Sequence, residues 1–303
     1  MRKSILVVIF VILAMVTIIS ANTLHASDPA NPSKGPKKFA IPSHAAEIAP
    51  GIFHLGTALD KGRVVEGYAI VTPHKKNKKR FAKPGCNNNG ICDPGEKKNC
   101  GDCNIAGDEE VDTSSCYEYT RGARWKGVED YIVDPSNTST LDSSYILKNL
   151  EYDIGKWENA AGVRIIGTQY EVAADNSLEA DSYSPDGSNE VYFADVEYAN
   201  AIGVTIIWGI FGGPPNRREL VEWDQIYDDV DFDWSDDCES EECASKMDFE
   251  NIATHELGHS VGLIDLYDSF CSGQTMYGYA SNGETTKRDL EDGDITGIWR
   301  LYK

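Results

Sequence analysis

A short stretch late in the sequence, HELGHSVGLID from His255 to Asp265, constrains this chain more than any other feature. His255 and His259 are four residues apart, so on a helix they share one face and can offer imidazole nitrogens to a single ion about 2.0–2.1 Å away. Glu256 lies one step round the helix, where it can accept a proton from water bound to that ion. This spacing predicts a catalytic zinc site, which needs a third protein ligand.

The third ligand is predicted from the residues that follow His259. Gly262 tolerates the positive φ of a sharp turn that ends the helix, and Asp265 follows three residues later, where the redirected chain can return to the ion. No third histidine lies in this part of the sequence, since the others are His25, His44, His54 and His74. Two other carboxylates stay open as alternatives: Asp268 would require a longer turn, and Glu284 lies in a turn-like stretch rather than on a helix.

The first 26 residues predict export. Two basic residues precede an unbroken apolar run from Ile5 to Ile19, and small residues follow, with cleavage expected after Ala21 or Ala26. The run is shorter than the ~20 residues that cross a bilayer. We therefore interpret residues 1–26 as a signal peptide and expect a secreted, extracellular protein with no stable membrane span after the signal is removed.

The cysteines agree with export, because an even number in an exported chain predicts disulfides before metal ligands. The eight candidates are Cys86, Cys92, Cys100, Cys103, Cys116, Cys238, Cys243 and Cys271. Residues 84–103 are too short for a hydrophobic core and rich in Cys, Gly, Asn and Asp, which predicts a small disulfide-rich module. Its acidic residues Asp93, Glu96 and Asp102 are candidate calcium ligands, although their spacing is not that of an EF-hand.

Charge divides the chain into two parts. Residues 28–103 contain 13 Lys and Arg against 7 Asp and Glu, whereas residues 104–303 contain 13 against 42. The acidic part argues against nucleic acid as a partner, because phosphate binding needs clustered Lys and Arg. The opposite charge of the two parts favours contact between them.

Residues 28–83 are predicted to be an N-terminal segment with two open roles. Residues 51–72 contain two alternating apolar runs around an Asp-Lys-Gly turn, which predicts a β-hairpin, and residues 74–85 form a basic linker. The segment is either a pro-region that restrains activity or a permanent structural appendage.

Residues 117–303 predict one large domain. Five stretches predict strands: Val128–Val133, 163–167, 189–196, Val204–Phe211 and 223–234. Apolar residues three or four apart predict a helix that ends at Gly162: Ile146, Leu150, Ile154, Trp157 and Ala161. A second helix carries His255 after the N-cap Asp248, and a third covers residues 288–303. The predicted fold class is α/β (α+β): a mostly twisted five-stranded sheet with two long helices and a C-terminal helix, preceded by the small Cys-rich module.

These motifs resemble the signature of the metzincin zinc metalloproteases, with Asp265 where most of the clan has a third histidine and a snapalysin-like branch has aspartate. TMYGYA (275–280) resembles the Met-turn, in which Met276 would form an apolar floor beneath the zinc histidines. LEDGDITGIWRLY (290–302) resembles the closing helix of matrixins. The resemblance covers residues 117–303 and implies a metzincin-like zinc endopeptidase whose cleft lies along an edge strand, here Val204–Phe211.

The sequence departs from these families at two places. Most matrixins carry a prodomain cysteine that blocks the zinc, but here no cysteine precedes Cys86. Astacin-like and serralysin-like relatives place a tyrosine two residues after the Met-turn methionine, where this chain has Gly278. Tyr277 and Tyr279 flank that glycine and are interpreted as packing residues.

The function that follows is that of a secreted zinc-dependent endopeptidase, in which Glu256 is the general base for a metal-activated water. Zinc is the expected cofactor, and structural calcium is a further candidate. The expected partner is a protein or peptide substrate, and the expected state is a monomer. The alternative is a secreted adhesion or matrix-binding module with a structural or vestigial zinc site. Glu256 argues against that alternative, because a structural zinc site does not need it.

Overall fold

The N-terminal hairpin and the strands of residues 117–303 share one sheet. The computed structural model describes residues 37–75, 112–139, 141–172, 178–238 and 241–303. Within these ranges nine strands form the main sheet, and two more form a short parallel pair. The main sheet contains β1 (Lys38–Phe39), β2 (Ala46–Ala49), β3 (Ile52–Asp60), β4 (Arg63–Pro73), β5 (Glu129–Val133), β6 (Ile166–Val172), β7 (Asn189–Val196), β8 (Ala201–Ile210) and β9 (Glu219–Asp228); the pair is β10 (Trp234–Ser235) and β11 (Met247–Asp248).

The strand order is β2-β3-β4-β8-β9-β7-β5-β6, and β1 pairs with β7 off this path. Strands β9, β7, β5 and β6 run parallel to one another, whereas β8 is antiparallel to β9, and β4 is antiparallel to β8. Each of the five predicted strands overlaps one of β5 to β9, although β6 begins three residues later than predicted and β9 ends six residues earlier. The prediction of a five-stranded sheet was wrong, because the hairpin of β3 and β4 extends the same sheet. Alternating apolar residues specify a strand and its faces, but not the edge with which it pairs.

Three α-helices occur in the described ranges: α1 (Ser143–Ala161), α2 (Phe249–Ser260) and α3 (Asp292–Tyr302). Helix α1 begins at the N-cap Asp142, which accepts a hydrogen bond from Tyr145 N, and ends at Gly162 with φ 71°. All five residues of its predicted apolar stripe are buried. Helix α3 begins four residues later than predicted, where Asp294 accepts a hydrogen bond from Glu291 N at 3.1 Å.

Buried side chains form a separate layer on each face of the sheet. The helix-covered face contains Trp157 and Phe249, and the opposite face contains Val204 and Trp208. Strand β4 contributes to both layers, since successive side chains of a strand point to opposite faces. Its Ile70 lies in the helix-side layer and Val71 in the other, and both are fully buried. Strand β4 is therefore an interior strand of the sheet.

Two disulfides lie in the described residues. Cys116–Cys271 joins chain positions 155 residues apart, and Cys238–Cys243 closes a short loop. The predicted signal peptide, most of the predicted basic linker and the predicted Cys-rich module with Cys86, Cys92, Cys100 and Cys103 lie outside the described residues, as do Asp93, Glu96 and Asp102. None of the helices that the structure describes has the length and apolarity to cross a membrane.

Candidate metal centre

Helix α2 positions the predicted histidines inside the protein. Asp248 accepts a hydrogen bond from Asn251 N at 2.8 Å and caps the first turn, as predicted. Arg288 holds the same carboxylate through Nη2 at 2.6 Å. Phe249 packs into the core beneath the sheet, and nearly every residue of the helix is buried. The rings of His255 and His259 therefore lie in the interior with fixed directions.

His255, His259 and Asp265 converge on one point. Asp265 Oδ1 lies 3.2 Å from His255 Nε2 and 3.5 Å from His259 Nε2. The imidazole planes are 87° apart, so the two Nε2 atoms approach from different directions. All three side chains are buried, and each offers one ligand atom to a common centre. The structure brings together the three residues that the sequence spacing predicted, and their role as metal ligands stays a prediction.

Backbone carbonyls fix which nitrogen of each histidine is free. His255 Nδ1 lies 2.7 Å from Thr275 O, and His259 Nδ1 lies 3.1 Å from Leu263 O. A carbonyl only accepts hydrogen bonds, so Nδ1 carries the proton in each neutral ring and Nε2 keeps its lone pair. Metal-binding histidines are commonly held in this way by a hydrogen bond from the second nitrogen.

The centre fits a divalent cation. His255 Nε2, His259 Nε2 and Asp265 Oδ1 are buried, and none has a hydrogen-bond partner in the described part of the chain. Burial alone would raise the pKa of Asp265, but the facing imidazoles outweigh it and hold that pKa well below its usual range. Two imidazole nitrogens and a carboxylate oxygen are a donor set that zinc prefers. The three residues would hold Zn²⁺ and leave one coordination position open.

A turn after α2 brings Asp265 back to the histidines. Gly262 adopts φ 107°, and a Cβ at that position would lie 2.6 Å from Ala123 O, so both the conformation and the space require glycine. Leu263 N then bonds to Gly258 O at 2.9 Å, and Ile264 N to Glu118 O at 3.1 Å. These contacts direct the next residue, Asp265, toward the centre, as the predicted turn requires.

Met276 lies directly beneath α2. It is fully buried, and a Cβ on Gly258 would lie 2.2 Å from its sulfur. Asp294, at the start of α3, accepts hydrogen bonds from Thr275 N at 2.8 Å and Met276 N at 3.1 Å. The closing helix thus fixes the turn that carries Met276, and the predicted role of Met276 as an apolar floor stays a prediction.

Glu256 lies beside the centre with one oxygen held and one without a partner. Thr205 Oγ1 on β8 donates to Glu256 Oε2, whereas Oε1 is buried and has no hydrogen-bond partner among the described residues. Strand β8 approaches closely here, since a Cβ on Gly203 would lie 2.9 Å from Oε1. A buried carboxylate oriented in this way suits a general base.

The alternative third ligands lie elsewhere. Asp268 caps a short 3-10 helix and accepts a hydrogen bond from Phe270 N at 2.9 Å. Glu284 binds Lys287 Nζ at 2.6 Å. Neither belongs to the group that converges on the histidines.

Sequence reasoning missed two contacts of the centre. Thr205 is one of them, and Tyr267, whose hydroxyl donates to Asp265 Oδ2 at 3.1 Å, is the other. Tyr267 also stacks edge-on against Tyr279 at 5.3 Å, in line with the packing role predicted for Tyr279. Of these two contacts, the sequence offers a signal only for Tyr267, because it lies two residues after Asp265. Thr205 is 51 residues from Glu256, and nothing local marks it.

Strand β8 is not an edge strand, so the prediction of an open cleft along Val204–Phe211 was wrong. Strand β4 pairs with it antiparallel from Glu66–Gly209 to Pro73–Ala201. The chain then passes residue Ala280, whose carbonyl accepts a hydrogen bond from Lys75 N at 2.7 Å. His74 and Ala280 form a parallel bridge. The N-terminal segment fills the space that the prediction assigned to substrate.

A second group of possible metal ligands lies in the segment before β7 and on β9. Asp181, Asp186 and Glu222 each offer a carboxylate oxygen within 4.8 Å of the others. Glu222 is fully buried; Gly187 N donates to its Oε2, and Oε1 has no partner in the described ranges. Burial, and after it Asp224, raises the pKa of Glu222 to about 10. Oxygen ligands alone favour calcium rather than zinc.

Residues 218–303 match the family model of the matrixins. The matched range contains α2, the turn to Asp265, Met276 and α3, which together build the centre. The match supports a matrixin-like zinc metallopeptidase, and the mixed sheet with three helices fits a metzincin-like fold. No curated protein matches the chain.

Proposed function

We propose that this chain is a secreted zinc-dependent endopeptidase with Asp265 as the third metal ligand. One observation carries the proposal: two histidine nitrogens and one carboxylate oxygen, all buried without partners among the described residues, converge beside Glu256, which also has an oxygen without a partner. When bound there, zinc supplies Lewis acidity that activates water and polarises the scissile carbonyl.

The residues around the centre have separate roles in metal binding, proton transfer and orientation. His255 and His259 bind through Nε2 because their Nδ1 protons are held by carbonyls. Glu256 accepts the proton of the attacking water at Oε1 and passes it to the leaving amine, while Thr205 keeps the carboxylate oriented. Tyr267 binds the Asp265 oxygen that does not face the histidines and so fixes the carboxylate.

The alternative is a secreted adhesion or matrix-binding module with a structural zinc site. Complete burial of His255, Glu256 and His259 favours it, because structural sites are closed to substrate. The oxygen of Glu256 without a partner favours catalysis, since a structural site gains nothing from a buried carboxylate that is not a ligand.

Glu256→Gln separates the two functions. We expect zinc content by elemental analysis to equal that of wild type, because the three ligands remain. Casein or gelatin hydrolysis should fall by about 10²–10⁴-fold, the contribution of a general base. Glu151→Gln, on the exposed side of α1, is the matched control and should change neither. Wild type and Glu256→Gln that are equally inert on generic protein substrates would favour the binding module.

We further propose that the N-terminal segment, residues 28–83, is a pro-region that restrains this peptidase. An extended substrate binds an exposed strand by adding a strand of its own, and β4 already occupies that position on β8. Thr72 lies opposite Gly203, so the two share a face of the sheet, and that face carries Glu256. A substrate can reach the centre only when β4 moves away.

Removal of the segment tests this restraint. A form that begins at Pro84 should hydrolyse casein faster than the full chain, and a peptide of residues 37–75 added separately should inhibit it again. A scrambled peptide of the same composition is the control. Equal activity of both forms at low and high salt would favour a permanent structural appendage.

A further inference from the structure

An arginine-lined cavity lies at the far end of β8 from the metal centre. Its volume is about 670 Å³, within the range of ligand-binding cavities. It forms between residues 118–124, residues 215–218 after β8, and the end of α3. Its charged lining residues are Arg121, Arg124, Arg218 and Arg300, with Glu118 as the single acid.

The cavity concentrates the positive charge of an acidic domain. Residues 104–303 contain 13 Lys and Arg against 42 Asp and Glu. Five of the 13 lie in the three segments that form the cavity, and two more lie within two residues of a segment end: Arg121, Arg124, Arg217, Arg218 and Arg300, then Lys126 and Lys303. In the described part of the chain none of the seven pairs with a carboxylate, whereas cations elsewhere in the domain, such as Lys156 and Lys287, do.

The guanidinium groups are held by neutral partners. Arg218 Nε donates to Gly213 O at 3.0 Å, and Arg124 Nη1 to Leu301 O at 2.5 Å. Arg300 Nη1 donates to Tyr117 Oη at 2.6 Å and lies over that ring. Among the described residues these contacts fix the side chains, use one or two of the five N–H donors of each guanidinium group and include no side-chain carboxylate. Arginines arranged in this way bind carboxylates or phosphates.

The position of the cavity indicates which part of a peptide would reach it. Strand β4 marks the path of a peptide antiparallel to β8: Thr72 pairs with Gly203, beside Glu256, and Glu66 pairs with Gly209 at the cavity end. Residue Gly213, four residues beyond Gly209, already contacts Arg218. A substrate on this path therefore extends its N-terminal part, about six residues before the centre, toward the arginines.

We propose that this cavity is an exosite that binds an acidic stretch of a polypeptide substrate, N-terminal to the bond that is cleaved. This proposal rests on the proposed peptidase function, because that function sets the direction in which a substrate would lie along β8. It names acidic polypeptides as the substrate class, because carboxylate side chains match the guanidinium groups. An extended nucleic acid backbone would instead meet the negative charge of the rest of the domain.

Binding is measured on the full chain carrying Glu256→Gln, so that no cleavage intervenes. The probe is a fluorescent hexaglutamate peptide, and hexaglutamine is its neutral control. We expect hexaglutamate alone to bind, with an affinity that falls as salt rises. Arg218→Gln with Arg300→Gln should weaken binding at least tenfold. Arg164→Gln with Lys148→Gln, which removes two charges outside the cavity, should leave binding within twofold of the parent.

Three results would overturn the exosite. The first is no binding of hexaglutamate, and the second is equal binding by the arginine and control variants. The third is a sulfated polysaccharide or inorganic phosphate that binds through the same arginines while hexaglutamate does not. Unchanged melting temperatures of the variants show that folding is intact. In the active form, the arginine variant should raise KM for an acidic substrate and leave kcat unchanged. Because the binding assay needs no activity, its failure is distinct from failure of the proposed hydrolysis.

Discussion

The centre at His255 and the carboxylate group at Glu222 are two clusters of potential metal ligands with opposite chemistry. The first has two nitrogens and one carboxylate, all buried, with each histidine proton fixed by a carbonyl. The second has oxygen atoms only, and Asp186 is exposed. Zinc favours the first set and calcium the second. Residue type alone thus favours different ions at the two clusters.

The clusters also differ in how they tolerate the absence of an ion. At the centre, one carboxylate faces two imidazoles. Burial lowers the pKa of His259, but Asp265 outweighs it and the net shift is upward. At Glu222 three carboxylates face one another, and only proton uptake or a cation relieves the repulsion. Oxygen ligands favour calcium among the common cations, and its binding to the second cluster is a prediction.

The largest expected effect is loss of zinc from Asp265→Ala. Removal of the only charged ligand should weaken zinc binding by more than about a hundredfold and abolish hydrolysis, since even outer-shell changes reach that range. Asp265→His should recover part of the binding. Asp268→Ala is the matched control, because that carboxylate caps a 3-10 helix away from the centre. One tightly held zinc per Asp265→Ala chain by elemental analysis would contradict the assignment.

Calcium dependence should follow Glu222 rather than the histidines. Calcium at a hundred times its Kd should stabilise the wild type by about 2.7 kcal/mol, and chelation should remove that gain. In Glu222→Gln the difference in melting temperature between calcium and EGTA should disappear, while zinc content stays normal. Glu129→Gln, an exposed acid on β5, should behave as wild type. A calcium response that persists in Glu222→Gln places the ion elsewhere.

Packing distinguishes the two clusters as well. Gly258→Ala would push a methyl group to 2.2 Å from the Met276 sulfur and 2.8 Å from Trp157, whereas a Cβ on Gly187 beside Glu222 meets open space. We expect Gly258→Ala to lower the free energy of unfolding by about 1–3 kcal/mol. Gly155→Ala is the matched helical control, since nothing lies within 4 Å, and it should stabilise by about 0.5–1 kcal/mol. Equal melting temperatures of Gly258→Ala and wild type would show that Met276 and Trp157 move away from the new methyl group at little cost in free energy.

Local spacing predicted the core of the metal centre well. The interval between His255 and His259 and the turn at Gly262 act within ten residues, and the structure brings together the three residues that this stretch predicted. The roles assigned to these residues in binding and catalysis stay predictions. The strands β5 to β9 followed from their apolar runs for the same reason, because a strand is specified by neighbouring residues.

Long-range pairing could not be predicted in the same way. Alternation in residues 51–72 indicated a hairpin, but nothing in it specified β8 as the partner of β4. The contact of Thr205 with Glu256 and the cluster of arginines depend on segments far apart in the chain. Their charges are scattered in the sequence and meet only after the sheet and α3 have formed.

The last expected effect is a dependence of stability on pH that is steeper without calcium than with it. Burial, followed by Asp186, raises the pKa of Glu190 to about 7, and Glu222 titrates near 10, against about 4.3 for an unfolded glutamate. The folded state therefore holds these protons more tightly, so their stabilising contribution is complete below pH ~4.3 and declines as pH rises toward 7 and beyond. In EGTA the melting temperature should fall between pH 5 and 8 more steeply than with calcium, which replaces the protons. Glu222→Gln, which cannot ionise, should flatten the EGTA profile. A wild-type profile that is the same with and without calcium would indicate that a shared proton, not an ion, occupies the cluster.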